Sequence, residues 1–208
     1  MIKLITPADM PDVAAIASAV DALRGGGVVA YPTDTLYGLA VDPRREDATE
    51  RLYAAKGRDA SVAMPLIAST VEQAKDVAVF GERELRLALA FWPGPLTIVM
   101  PARAVVARSI LGGGTTVAVR VPSHAVARAL CATFGFPLTA TSANRSGRPP
   151  AASAADVVNG FVTGIDVILD GGLVPGGPPS TIVEIGAAGP RLVRSGAVAW
   201  ERVLESLE

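Results

Sequence analysis

The chain has 208 residues, of which 50% are hydrophobic, 19% charged and 5% aromatic, and its formal net charge is −1. That length carries one proper core, and this much apolar surface, with a mean hydropathy of +0.40, excludes a disordered chain. One cysteine, Cys131, and one histidine, His124, exclude an internal disulfide, a Cys-rich zinc site and a His-clustered metal site. With a pI of about 5.9 and no Lys/Arg run, nucleic-acid binding is not the expected main task.

Thr6-Pro7-Ala8-Asp9 reads as a helix start: a capping residue, proline at the first position and a carboxylate soon after. Val13, Ile16, Ala17, Val20 and Leu23 continue at helical spacing, and Gly25-Gly26-Gly27 stops the helix. Val28 to Tyr31 is a buried strand ending at Pro32. The glycine triplet precedes that strand, whereas a phosphate loop follows one, so it reads only as a helix stop. Further helices are expected from Asp47, over Glu82 to Phe91, Ser123 to Phe134, from Ser153, and over Trp200 to Leu207. Strands are expected at Pro65 to Ala68, Leu96 to Met100, Thr116 to Val121, Pro137 to Thr141, Asp166 to Leu169, Thr181 to Ile185 and Arg191 to Arg194. This alternation predicts an α/β fold, a twisted mixed open sheet flanked by helices, in one domain over 1–208.

Within that frame Cys131 reads as a small core residue on a helix, and His124 as a helix-start residue after Ser123. The Pro/Gly-rich piece Gly171 to Pro179 is the expected mobile loop. The N-terminus lacks the basic start and long apolar run of a signal peptide. The uncharged stretch Leu87 to Ala102 is interrupted by Pro93, Pro95 and Pro101, so it is no spanning helix, and a cytoplasmic protein is expected.

The chemically informative residues are polar ones where the pattern calls for apolar ones. Thr33, Asp34 and Thr35 follow a buried strand, where ligands of open α/β sheets sit; a Pro-Thr-Asp turn explains the same residues equally well. Arg120 ends the apolar strand Thr116-Val117-Ala118-Val119, where a guanidinium is costly without an anion beside it. That anion is either a structural partner, Asp34 or Asp170, or a bound carboxylate, which the arginine fork grips with two hydrogen bonds. Lys56-Gly57-Arg58 closes a helix, where cations are stabilising, and leads to a cleft edge where they could neutralise a polyphosphate. Thr139 to Gly147, Ser180-Thr181 and Arg194 add hydroxyls, an amide and a guanidinium at three more strand ends. Each could be ordinary turn chemistry, but so many strand ends bearing such donors point to one convergent site rather than to coincidence.

These segments carry a resemblance: Ala30-Tyr31-Pro32-Thr33-Asp34-Thr35-Leu36-Tyr37-Gly38-Leu39, Lys56-Gly57-Arg58, Trp92-Pro93-Gly94-Pro95-Leu96-Thr97, Thr116-Val117-Ala118-Val119-Arg120-Val121-Pro122, Ser142-Ala143-Asn144-Arg145-Ser146-Gly147, Ser180-Thr181-Ile182-Val183 and Arg194-Ser195-Gly196. In this order the chain resembles the YrdC-type threonylcarbamoyl-AMP synthases over nearly its whole length. The resemblance implies a twisted sheet around a large cationic cleft. It also implies conversion of threonine, bicarbonate and ATP to threonylcarbamoyl-AMP and pyrophosphate with Mg2+. A partner transferase would then modify tRNA, with direct tRNA binding by this chain weak or absent. By the same resemblance Thr35, Arg120, Ser180 and Ala140 would hold threonine, and Lys56, Arg58, Thr116, Ser142, Asn144, Pro150 and Arg194 the nucleotide. The loop Asp59-Ala60-Ser61-Val62-Ala63-Met64 is longer than in most members and lacks their asparagine. Ser69 stands where their threonine-contacting histidine falls. No metal ligand is assigned, and no additional C-terminal domain is expected after Arg194. The alternatives are a same-fold carbamoyl-adenylating domain or paralogue with another acceptor, and an RNA-binding module.

Overall fold

The protein is described by a computed structural model covering residues 2–5, 10–186 and 188–208. The helix start read at 6–9 lies outside the described residues; helix α1 (Val13–Arg24) runs from an Asp12 cap whose carboxylate accepts from the Ala15 N–H at 2.7 Å. Its buried stripe Ala15, Ile16, Ala19, Val20 and Leu23 packs on α5 (Ala125–Phe134), which buries Val126, Ala127, Leu130 and Cys131. His124 caps α5, its Nδ1 accepting from the Val126 N–H at 3.3 Å. Cys131 is a core residue whose thiol burial pushes up out of reach of ionisation.

Two sheets form where the sequence pattern suggests one. The first orders β1 (Ile2–Ile5), β9 (Val167–Asp170), β2 (Val29–Tyr31), β3 (Gly38–Ala40) and β8 (Thr141–Ser142), with β1, β9 and β2 parallel. Val28 and Ala30 face one core cluster while Val29 and Tyr31 face another, so the strand is apolar on both sides, as a covered parallel sheet requires. The second orders β11 (Gly189–Arg194), β10 (Thr181–Gly186), β5 (Leu96–Pro101), β6 (Thr116–Arg120), β4 (Leu66–Ile67) and β7 (Leu138–Thr139). Here the period is two: Ile98, Met100, Val117, Val119 and Val183 enter the core, while Thr97, Val99, Thr116, Ala118 and Arg120 face a cavity.

The expected strand at 137–141 is the junction of the two sheets. Leu138 and Thr139 pair with β4, Thr141 and Ser142 pair with β3, and the Ala140 N–H between them donates to Pro65 O at 2.8 Å. Thr139, fully buried, stitches the sheets further. Its Oγ1 accepts from the Val41 N–H at 2.8 Å and donates to Leu39 O at 3.2 Å, and its carbonyl accepts from the Tyr31 hydroxyl at 3.2 Å.

Helices α2 (Glu46–Lys56), α3 (Val71–Ala74), α4 (Glu82–Phe91), α6 (Ala154–Gly160) and α7 (Trp200–Glu205) complete the fold with a 3-10 turn at Arg108–Leu111. Helix α6 opens with a Ser153/Asp156 capping box. The glycine-rich 171–179 segment is tied down in part: the Tyr37 hydroxyl donates to Gly172 O at 2.7 Å, and Val174 is buried. Among the described residues no helix is long and apolar enough to cross a membrane.

Thr139→Val keeps the shape of the junction but leaves the buried Val41 N–H without its acceptor. The variant is expected to lose about 1–3 kcal/mol in urea unfolding, with a melting temperature lower by roughly 2–4 °C per kcal/mol for a chain of this size.

Candidate functional site

Between the diverging sheets lies a cavity of about 370 Å³ whose wall includes Thr35, Arg58, Thr116, Arg120, Ala140, Ser142, Ser180 and Arg194. These eight, read as site residues from the sequence, are brought together from both sheets and the segments joining them. The five-stranded sheet contributes the turn after β2. There Thr33 Oγ1 donates to Leu36 O at 2.6 Å and accepts from the Thr35 and Leu36 N–H groups, each at 3.2 Å. This locks the turn and sets Thr35 Oγ1 3.2 Å from Thr33 Oγ1 at the cavity edge.

Arg120 projects from the end of β6 with 8% of its surface exposed. Its Nη2 forms an ion pair with Asp34, Nε donates to Gly94 O at 3.0 Å, and Nη1 lies 3.4 Å from Thr35 Oγ1. Of the two explanations open in the sequence, the structural partner Asp34 is therefore present. A guanidinium has five donors, so two N–H groups remain for a ligand. A Cβ on Gly94 would sit 2.3 Å from Phe91 O, so only glycine fits at this position.

Arg194, at the end of β11, donates through Nε and Nη2 to Ser180 O at 3.2 and 2.8 Å, and through Nη2 to Ser180 Oγ at 3.1 Å. Burial, then the charge of Arg120, lowers its pKa from the usual arginine value. Arg58 donates to Thr141 Oγ1 at 3.3 Å and Ala63 O at 2.8 Å, while its buried Nε has no partner. Two of the three guanidiniums on this wall thus touch only neutral oxygens. Such a cavity favours an anion, which relieves both the mutual repulsion and the lost hydration. Among the described residues no group of three or more His, Cys, Asp or Glu side chains could hold a metal ion.

Four residues expected at the site are off this wall. Lys56, 3% exposed, ends α2 and turns its ammonium onto Ser142 O and, at 2.7 Å, Asn144 O. Burial, then the neighbouring Arg58 charge, lowers its pKa to about 8. Lys56 is the last residue of α2, and the left-handed Gly57 cap turns the chain away directly after it. Asn144 bonds within its own loop, its Nδ2 donating to Arg145 O at 3.0 Å and Arg148 O at 2.6 Å. With Pro150 it borders a separate cavity of about 260 Å³. Ser69 is spent on Gln73 Oε1, which accepts from its N–H at 2.7 Å and its hydroxyl at 3.0 Å. Thr33, read from the sequence as a turn or ligand residue, also lines the main cavity, as do Thr97 and Met64, to which the sequence assigned no role there. A hydroxyl inside the apolar run Leu96 to Met100 was the available signal for Thr97.

The family model for Sua5/YciO/YrdC, described as "Telomere recombination", matches residues 21–196. A threonylcarbamoyl-AMP synthase of Pyrococcus abyssi (strain GE5 / Orsay) is 40% identical over 182 residues, covering 87% of this chain and 54% of that protein. One of Halorhodospira halophila (strain DSM 244 / SL1) is 47% identical over 152 residues, 73% of this chain and 80% of that one. The crystal structure of P. abyssi Sua5 complexed with L-threonine matches with a TM-score of 0.94 at 37% identity, covering 99% of this chain and 61% of that one. The chain therefore spans about half the length of the P. abyssi synthase it matches. With the match running from the last turn of α1 past β11, the chain belongs to the Sua5/YciO/YrdC family.

Proposed function

We propose that this chain forms threonylcarbamoyl-AMP and pyrophosphate from L-threonine, bicarbonate and MgATP. The observation that carries the reading is one cavity in which Arg58, Arg120 and Arg194 converge with the hydroxyls of Thr35, Thr116, Ser142 and Ser180. The relatives named threonylcarbamoyl-AMP synthase, and the P. abyssi structure with L-threonine, support the choice of substrate.

The chemistry suits these groups. Threonine's amine and bicarbonate condense to a carbamate with loss of water. A carbamate oxygen then attacks the α-phosphorus of ATP, the bond to the bridging oxygen breaks, and pyrophosphate leaves. The carbamate oxygen is already an anion, so this step asks for alignment and neutralised phosphate charge rather than a histidine or cysteine. Arg120, Thr35, Ser180 and Ala140 are assigned to threonine, and Arg58, Thr116, Ser142 and Arg194 to the phosphates. Lys56 acts on the nucleotide side through the loop whose carbonyls it holds, with Asn144 and Pro150 beyond it, while the Ser69 hydroxyl is engaged by Gln73.

Magnesium would arrive on the phosphates of ATP. The wall supplies guanidinium and hydroxyl groups, and Mg2+ keeps several waters while binding chiefly substrate phosphate. The product, a reactive mixed anhydride, would pass to a tRNA-modifying transferase in the cytoplasm. A net charge of −1 fits that division of labour, since tight tRNA binding needs clustered cations.

Incubation of the chain with all three substrates and Mg2+ should release pyrophosphate only when threonine and bicarbonate are both present. Equal release without threonine points to another acceptor, and none with the full set defeats the reading. Arg120→Ala should weaken threonine binding in calorimetric titration by roughly 10- to 100-fold, from about 1.5–3 kcal/mol of hydrogen bonding to charge. Arg120→Lys keeps a cation beside Asp34 without the fork, so it should recover part of that affinity, with ATP affinity barely moved. A lower melting temperature in Arg120→Lys, with equal losses for both ligands, would reduce Arg120 to a scaffold residue.

A further inference from the structure

Thr97 is a hydroxyl where the strand has no structural need of one. It lies on β5 between Leu96 and Ile98, both fully buried, and is itself 3% exposed, yet it lines the cavity. A hydroxyl in such a place costs free energy unless it is hydrogen-bonded. Its partner is Ser180, with Thr97 Oγ1 and Ser180 Oγ 2.8 Å apart. Ser180 Oγ also receives Arg194 Nη2 at 3.1 Å, and Arg194 clamps the Ser180 carbonyl as well.

The proton inventory gives this chain a direction. Ser180 Oγ has one hydrogen and two lone pairs. Arg194 can only donate, so it fills one lone pair. If Ser180 gives its hydrogen to Thr97, it has none for a ligand. If Thr97 donates instead, both lone pairs are filled and the Ser180 hydrogen is left for the cavity. A carboxylate or carbamate accepts and does not donate, so an anion bound there selects the second arrangement.

We infer that Thr97 is a positioning residue: its hydroxyl donates to Ser180 and thereby fixes Ser180 as the O–H donor to the anionic end of the amino-acid substrate. The inference rests on the threonine reading of the cavity. It acts through Ser180, so it predicts coupling between the two positions rather than an independent contribution.

The test is a double-mutant cycle read by calorimetric titration with threonine and with MgATP, and by melting temperature. Thr97→Val should weaken threonine binding by roughly 3- to 10-fold, the effect of one hydrogen bond, and leave MgATP binding unchanged. Thr97→Ser, which keeps the hydroxyl, should restore wild-type affinity. In a Ser180→Ala background, Thr97→Val should have no further effect. If Thr97→Val does not fold, Thr97→Ala against Thr97→Ser makes the same comparison. An unchanged threonine affinity in Thr97→Val, the same loss with and without Ser180, or no rescue by serine each overturns the role. A wild-type chain that binds no threonine defeats the substrate reading itself, and the role of Thr97 with it.

Discussion

Everything at the site depends on where the segment Leu138 to Ser142 changes sheets. Two residues pair with β4, the next pair with β3, and Ala140 between them is held by Pro65 O. Because the two sheets share this crossing, they diverge beyond it, and the wedge they leave is the cavity. The same crossing delivers Ala140, Thr141 and Ser142 to the cavity wall. Thr139, one residue earlier, satisfies backbone groups of β3 and its continuation at Val41. The crossing is thus both a structural seam and the floor of the site.

The second organising element is charge in a partly dry space. Arg120 is affordable there because Asp34, Gly94 O and Thr35 meet it. Arg58 and Arg194 have no carboxylate among their hydrogen-bond partners and rest on carbonyls and hydroxyls. This asymmetry divides the cavity into a neutralised corner around Arg120 and an uncompensated stretch between Arg58 and Arg194. The proposed substrates, one with a carboxylate and one with several phosphates, would make use of that division. Lys56 stands apart, its ammonium spent on the 142–144 loop, so its influence on a ligand runs through the shape of that loop.

Much of this was legible in the sequence because burial leaves a strong mark on apolar runs. Helices α4 and α5 and strands β2, β5, β6, β10 and β11 fall within a residue or two of where periodicity puts them, while α1 keeps its apolar stripe but starts at Val13 behind Asp12 rather than at 6–9. Convergence of strand-end hydroxyls and arginines was legible for the same reason: a polar residue closing an apolar strand needs an explanation. Short elements were not legible. Gly38-Leu39-Ala40 and Thr141-Ser142 are too brief to show a period, and the four-residue α3 has less than two turns. The change of sheet at Ala140 leaves no trace at all, since a two-residue pairing on each side has the composition of one continuous strand. Lys56 and Ser69 lie off the cavity wall, which the sequence could not show because it gives a side chain's position along an element but not the neighbour it reaches. Each was claimed by a local partner that only the fold brings close.

The central claim, that a site is built jointly by two sheets around their crossing, is most directly tested by amide hydrogen exchange. The chain would be compared alone and with threonine, Mg2+ and an ATP analogue that cannot be cleaved at the α-phosphate. Slowed exchange is predicted on both sides of the cavity at once: in 33–38 and 141–146 beside the five-stranded sheet, and in 59–65, 94–96 and 178–181 beside the six-stranded one. Protection confined to one sheet, or appearing instead at 161–164 around the separate surface cavity beside Arg51 and Arg145, would contradict it.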